Sequence, residues 1–146
     1  MAKHVDEFLS SEEQEQVISA IKEAELKTSG EIRVHIEEHH DDEPLERATQ
    51  LFGELAMHET AQRNGVLIYV ATVDHQFAIV GDEGIDAVTP EDFWESTKDI
   101  MQELFRSGRF ADGLVAGIMN VGTELLHHFP YEDGDENELS DEISTS

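Results

Sequence analysis

Cysteine is absent from the chain, which excludes disulfides, thiolate metal ligands and cysteine nucleophiles from its chemistry. Positive charge is scarce: 9 Lys and Arg stand against 34 Asp and Glu, for a formal net charge of −25 and an isoelectric point near 4.3. A charge of that size repels nucleic acid and anionic membrane surfaces, leaves cations as the favoured counter-charge, and serves solubility. Long apolar runs are also missing. Nothing approaches the roughly 18 to 20 apolar residues of a membrane span, and the opening MAKHVDEFLSSEEQ lacks the apolar core of a signal peptide. The reading is therefore a cytoplasmic, soluble monomer with no nucleic-acid partner and no membrane insertion. Catalytic signatures are few: no Gly-x-Ser-x-Gly elbow, Walker loop or dinucleotide-binding glycine fingerprint occurs, and no cofactor-binding residues are assigned.

What is present is one domain's worth of patterned sequence, 146 residues in all. The pattern divides it into an N-terminal extension (1–9), an α/β/α domain (10–130) and an acidic tail (131–146). The tail holds Glu132, Asp133, Asp135, Glu136, Glu138, Asp141 and Glu142 without Lys or Arg, the composition of a disordered segment. Within the domain, Ser10 and Glu13 form a capping box, and Val17, Ile18, Ile21 and Ala24 share a helical face up to Ser29-Gly30. Glu31 to Glu37 alternates Ile32, Val34 and Ile36 with polar residues, which predicts a strand with one buried and one wet face, nearer a sheet edge than its centre. Pro44 opens a second helix, with Leu45, Ala48, Leu51, Phe52 and Leu55 at helical spacing. Thr89 is read as the cap of a helix beginning at Pro90, with a stripe of Phe93, Trp94, Thr97, Ile100, Met101, Leu104 and Phe105. Gly108 breaks it, and Phe110 to Phe129 is the most apolar helix.

The segment Asn64 to Asp86 reads as a hairpin. Val66 to Val70 run in, Thr72-Val73-Asp74-His75 turn, and Phe77 to Val80 return to Gly81. With Glu31 to Glu37 and the following helix, this makes a βαβ unit plus an antiparallel hairpin, hence a three-layer α/β/α sandwich with a short mixed sheet and about four flanking helices. The strand directions bring Glu31, Asn64 and Gly81-Asp82-Glu83-Gly84-Ile85-Asp86 to one edge of the sheet. The opposite edge collects Glu38, His39, His40, Asp41, Asp74 and His75.

The order NGVL, hairpin, GDEGID and then Phe105-Arg106-Ser107-Gly108-Arg109-Phe110-Ala111-Asp112-Gly113-Leu114 resembles the TPM domain family over roughly Phe8 to Phe129. The family includes a thylakoid-lumen phosphatase, a photosystem repair factor and an acetylcholine-receptor modulator, and the chain resembles a stand-alone, soluble bacterial form. The resemblance implies an α/β/α sandwich, a calcium site in some members and acid phosphatase activity in few.

From the residues, Glu31, Asp82, Glu83 and Asp86 are the candidate metal ligands, because a hard cation accepts several carboxylate oxygens in irregular geometry. Ca2+ is the expected ion, with Mg2+ as the alternative. The bland role of the same acids is to cap a helical turn and solvate a loop. A metal-assisted acid phosphatase would use Asp82 or Asp86 as base or nucleophile and Arg109 to orient phosphate; a third reading is an accessory module that binds a protein partner. His39-His40-Asp41-Asp42 is read as an ordinary surface loop, with Asp74-His75 beside it.

Overall fold

A computed structural model describes residues 8–131 and 143–145. The expectations for the rest of the extension and for residues 132–142 lie outside the described residues. The elements are α1 (Ser11–Glu25), β1 (Glu31–Glu37), α2 (Pro44–Glu54), β2 (Gly65–Ala71), β3 (Gln76–Gly81), the single turn α3 (Glu83–Asp86), α4 (Glu91–Arg106), α5 (Phe110–His128) and β4 (Ser144–Thr145). The strands lie in the order β3-β2-β1-β4. β1 is parallel to β2, with Glu31 opposite Gly65 and Glu37 opposite Ala71, while β3 returns antiparallel to β2. The predicted βαβ unit, hairpin and mixed sheet are all present.

Two apolar layers enclose the sheet. Ile32, Val34 and Ile36 of β1 and Val66, Ile68 and Val70 of β2 pack with Val17 and Ile21 of α1, Met101 of α4 and Leu114, Ile118, Val121 and Leu125 of α5. On the other face Leu67, Tyr69 and Ala71 meet Ala48, Leu51 and Phe52 of α2. Each fully buried Ile or Leu side chain contributes about 1.5 to 3 kcal/mol relative to exposure, so the first and larger layer dominates the core. As its composition predicts, α5 is the most heavily buried helix, with eight buried positions.

The capping box of α1 is formed as expected. The Ser10 Oγ accepts from Glu13 N–H at 3.1 Å, and a Glu13 carboxylate oxygen accepts from Ser10 N–H at 2.9 Å. The start of α4 differs: Thr89 donates its hydroxyl to Ile85 O at 2.7 Å, Pro90 takes the cap position and Glu91 is the first helical residue. Ile100, expected in the stripe, is 45% exposed, while Thr97 and Met101 are buried.

β1 requires a larger correction, because it is an interior strand and its polar face is not wet. Glu31, His35 and Glu37 are all buried. β4 supplies the difference: Ser144 pairs with His35 and Thr145 with Ile36, parallel to β1. Ile143 is buried in the larger core layer. The end of the chain thus carries a strand where the composition of 131–146 predicts disorder. A two-residue strand has too little sequence to show a period of two, and its partner is more than a hundred residues away.

Gly84 marks where the fold is least forgiving. Its N–H donates to Arg63 O at 2.8 Å, and a Cβ there would lie 2.1 Å from Gln62 O and 2.5 Å from Arg63 O, both backbone atoms. Gly53 in α2 has nothing within 4 Å of the same position. Gly84→Ala is expected to destabilise by about 2 to 3 kcal/mol through forced backbone displacement, whereas Gly53→Ala stabilises by about 0.5 to 1 kcal/mol through helix propensity. Urea unfolding of the two variants checks the pair, and equal effects would contradict this packing.

Candidate functional site

The parallel strands define two edges, and the amino edge carries the acidic loop. Glu31 N–H donates to Asn64 O at 3.3 Å, and Asp82 N–H donates to Gly65 O at 2.9 Å. Glu31, Asn64 and Asp82 are therefore gathered on one edge, all buried, as the strand directions predict. Asp82 also caps α3, its carboxylate accepting from Glu83 N–H at 2.7 Å, which is the bland role foreseen for it.

The sequence reading missed the partner of this carboxylate. Arg63 reaches Asp82 with two hydrogen bonds, Nε to Oδ2 at 2.8 Å and Nη2 to Oδ1 at 3.0 Å, and its Nη1 lies 3.2 Å from Glu83 Oε1. Hydrogen bonding to Asp82, ahead of the Coulomb attraction of Asp82 and Glu83, holds the guanidinium above its ordinary pKa. Arg63 sits at φ 52°, in the left-handed region, with its side chain 42% exposed. Its position next to the turn pair Asn64-Gly65 was the available signal. Asp86 points elsewhere, accepting from the Trp94 indole N–H at 3.2 Å. Among the described residues no three His, Asp or Glu side chains converge closely enough to hold an ion as they stand.

Arg109 lies away from this edge. Trp94 abuts Gly81, whereas Arg106, at the far end of α4, lines a cavity with Phe77. The helix from Trp94 to Arg106 spans about 18 Å, and Arg109 follows it, paired with Asp112 at 2.9 Å. The fold therefore places Asp82 and Asp86 at one end of α4 and Arg109 at the other.

The carboxyl edge is organised around a buried carboxylate. Glu37 accepts two hydrogen bonds from Arg47 of α2, at 2.9 and 3.0 Å, and one from the Tyr69 hydroxyl. Burial, followed by the hydrogen bond to Glu37, pushes the Tyr69 phenol well above its ordinary pKa, and the bond to Glu37 raises that of Arg47. His35 stacks on Tyr69, with centroids 6.2 Å apart, and its Nδ1 lies 2.9 Å from Ser144 Oγ. Outside this network, His39 bridges two carboxylates: Nδ1 to Asp74 at 2.6 Å and Nε2 to Asp41 at 2.8 Å. His40 donates its N–H to Asp74 Oδ2 at 3.1 Å. Asp74 does join the His39-His40 segment; His75 instead occupies the turn at φ 55°.

Comparison with known proteins gives a consistent result. A family model described as the TPM domain matches residues 4–124. The fold is similar to the solution structure of the BA42 protein from the psychrophilic bacterium Bizionia argentinensis, with 44% identity over 95% of this chain and 96% of that one and a TM-score of 0.89. It is also similar to the N-terminal domain of a protein from P. gingivalis, at 20% identity and a TM-score of 0.68 over 86% of this chain and 83% of that one. The N-terminal domain of cg2496 from Corynebacterium glutamicum shares 15% identity, with a TM-score of 0.64 over 80% and 74% of the two chains. These last two bear on the fold alone. No curated protein matches.

The His39 bridge generates a pH prediction. Hydrogen bonds to Asp74 and then Asp41 raise the His39 pKa, while the bond to His39 leads the causes that lower that of Asp74. The raised imidazolium stabilises the fold fully below the unfolded value of about 6.5 and loses that contribution as pH rises through its folded pKa. The lowered carboxylate contributes fully above the usual Asp range and loses its contribution as pH falls through its own folded pKa. Histidine ring NMR should show His39 titrating above the ordinary histidine value of about 6.5, and Asp74→Asn should return it towards that value; an unchanged His39 curve in that variant would remove the bridge.

Proposed function

This chain belongs to the TPM domain family, and from that premise we propose that its amino edge is a cation-exchange site, where a divalent cation, calcium first, takes the place of the Arg63 guanidinium. One observation carries the reading: a half-exposed, turn-borne cation sits between Asp82 and Glu83 on an edge that also holds buried Glu31 and Asn64. A guanidinium contributes one positive charge through fixed N–H directions, whereas calcium contributes two and accepts irregular oxygen donors. The −25 background favours the higher charge. Asp82 and Glu83 would supply the first oxygens, with Glu31 and Asp86 as the other carboxylates of the loop region. Magnesium demands closer to ideal octahedral geometry and retains more water, which makes it the weaker ligand for such an open set.

The phosphatase alternative requires Arg109 beside the acids that would act as base or nucleophile. Because Arg109 stands at the opposite end of α4, no catalytic step is assigned to Asp82 or Asp86.

A calcium titration followed by amide NMR tests the exchange. Saturable shifts are expected at Glu31, Arg63, Asn64 and Gly81 to Ala87. Asp82→Asn should weaken binding, since it removes the central carboxylate. Arg63→Gln should tighten it about fivefold, because a half-exposed ion pair worth about 1 kcal/mol no longer competes. Shifts confined to residues 132–142, or an affinity indifferent to Arg63→Gln, would refute the exchange.

A further inference from the structure

At the carboxyl edge, where β2 ends and α4 closes, lies a cavity of about 250 Å³ that shares no lining residue with the acidic loop. Its walls are Phe8, Phe77, Phe105 and Phe110, all half-buried and packed on the larger core layer. They form a continuous aromatic set: Phe77 meets Phe105 edge-on at 5.0 Å, Phe105 lies 6.0 Å from Phe110, and Phe110 lies 4.5 Å from Phe8. Val70 and Thr72 close the end nearest β2.

The mouth has a different chemistry. Arg106 and Gln102 line it from exposed positions on α4, and His75 and Gln76 line it from the hairpin turn. Among the described residues Arg106 makes no ion pair, in contrast to Arg47, Arg63 and Arg109, each held by a carboxylate. Lys98, Gln102 and Arg106 recur at intervals of four and so share a face of α4, with the Lys98 ammonium 6.0 Å from the centre of the Phe77 ring. A chain with only nine Lys and Arg thus places two of them along this side of α4.

We propose that this cavity binds a small aromatic carboxylate, its ring among the four phenylalanines and its carboxylate at Arg106. Size supports the ring: a cavity of about 150 Å³ holds benzene, so 250 Å³ admits a benzene-sized ring with a short side arm. Aromatic walls prefer an aromatic guest, through edge-to-face and offset contacts. The guanidinium donates two parallel N–H bonds that match a carboxylate, and the side-chain amides of Gln76 and Gln102 add neutral donors. The long-range field selects against phosphate, since a net charge of −25 repels a dianion about twice as strongly as a monoanion. The location suits a ligand site, because open α/β sheets bind ligands at the carboxyl ends of their parallel strands.

Phenylacetate, phenylacetamide and phenyl phosphate, titrated separately into the full chain and followed by amide NMR, test the assignment. Phenylacetate should shift Phe77, Gln102, Arg106 and Phe110 saturably, with a dissociation constant of about a millimolar or below. Phenylacetamide, of the same shape without the charge, should bind at least about tenfold more weakly, and so should phenylacetate to Arg106→Gln. The Arg106 side chain is exposed, so that variant is expected to keep the wild-type melting temperature. Equal binding of acid and amide, or retention of acid affinity in Arg106→Gln, would overturn the carboxylate pairing. Tighter binding of phenyl phosphate would overturn the choice of anion, and the absence of saturable shifts at these four residues would overturn the site.

Discussion

The parallel register of β1 on β2 is the constraint from which the arrangement of both edges follows. With Glu31 opposite Gly65, the strand entries gather Glu31, Asn64 and, through the antiparallel return of β3, Asp82. With Glu37 opposite Ala71, the strand exits gather the Glu37 network, the His39 bridge and the phenylalanine-walled cavity. A slip of one residue would send Ile32, Val34 and Ile36 to the polar face and Glu31, His35 and Glu37 into the apolar layer. The aliphatic alternation therefore fixes the register, and the register places the charges.

Charge economy shapes the rest of the molecule. With 34 acids and nine Lys and Arg, each cation's position has consequences. Arg47 satisfies Glu37, whose carboxylate is buried between β1 and α2, and a lone charge at that depth would be costly. Arg63 serves the acidic loop from a half-exposed turn, where solvent weakens the pair. Arg106 sits at the mouth of an aromatic cavity. The three guanidinium groups differ in exposure: Arg47 is the most covered, Arg63 is half-exposed, and Arg106 is exposed and makes no ion pair among the described residues.

Much of the architecture was legible before any coordinates. Periods of 3.6 and 2, the Ser10-Glu13 box, Pro44 at a first turn and the chirality of βαβ crossovers are local or topological rules, and they gave the element order, the mixed sheet and the two edges. The failures have a common cause. Glu31, His35 and Glu37 read as a wet face because what covers them lies outside the strand: Arg47 and Tyr69 bond Glu37, and Ser144 meets His35. The grouping of Asp82, Asp86 and Arg109 into one catalytic set overlooked that α4 lies between them, with about 18 Å of helix from Trp94 to Arg106.

By itself, the sequence determined the layers, the strand directions, the acidic background and the exclusion of cysteine chemistry, because these depend on composition and on spacings within a single element. The tertiary structure alone decided that β1 is an interior strand, that Arg63 holds Asp82, that Asp74 joins His39 and that four phenylalanines from separate segments enclose a cavity beside Arg106. Each of these is a contact between separate elements, with a geometry set by how whole elements pack, and no local period encodes it.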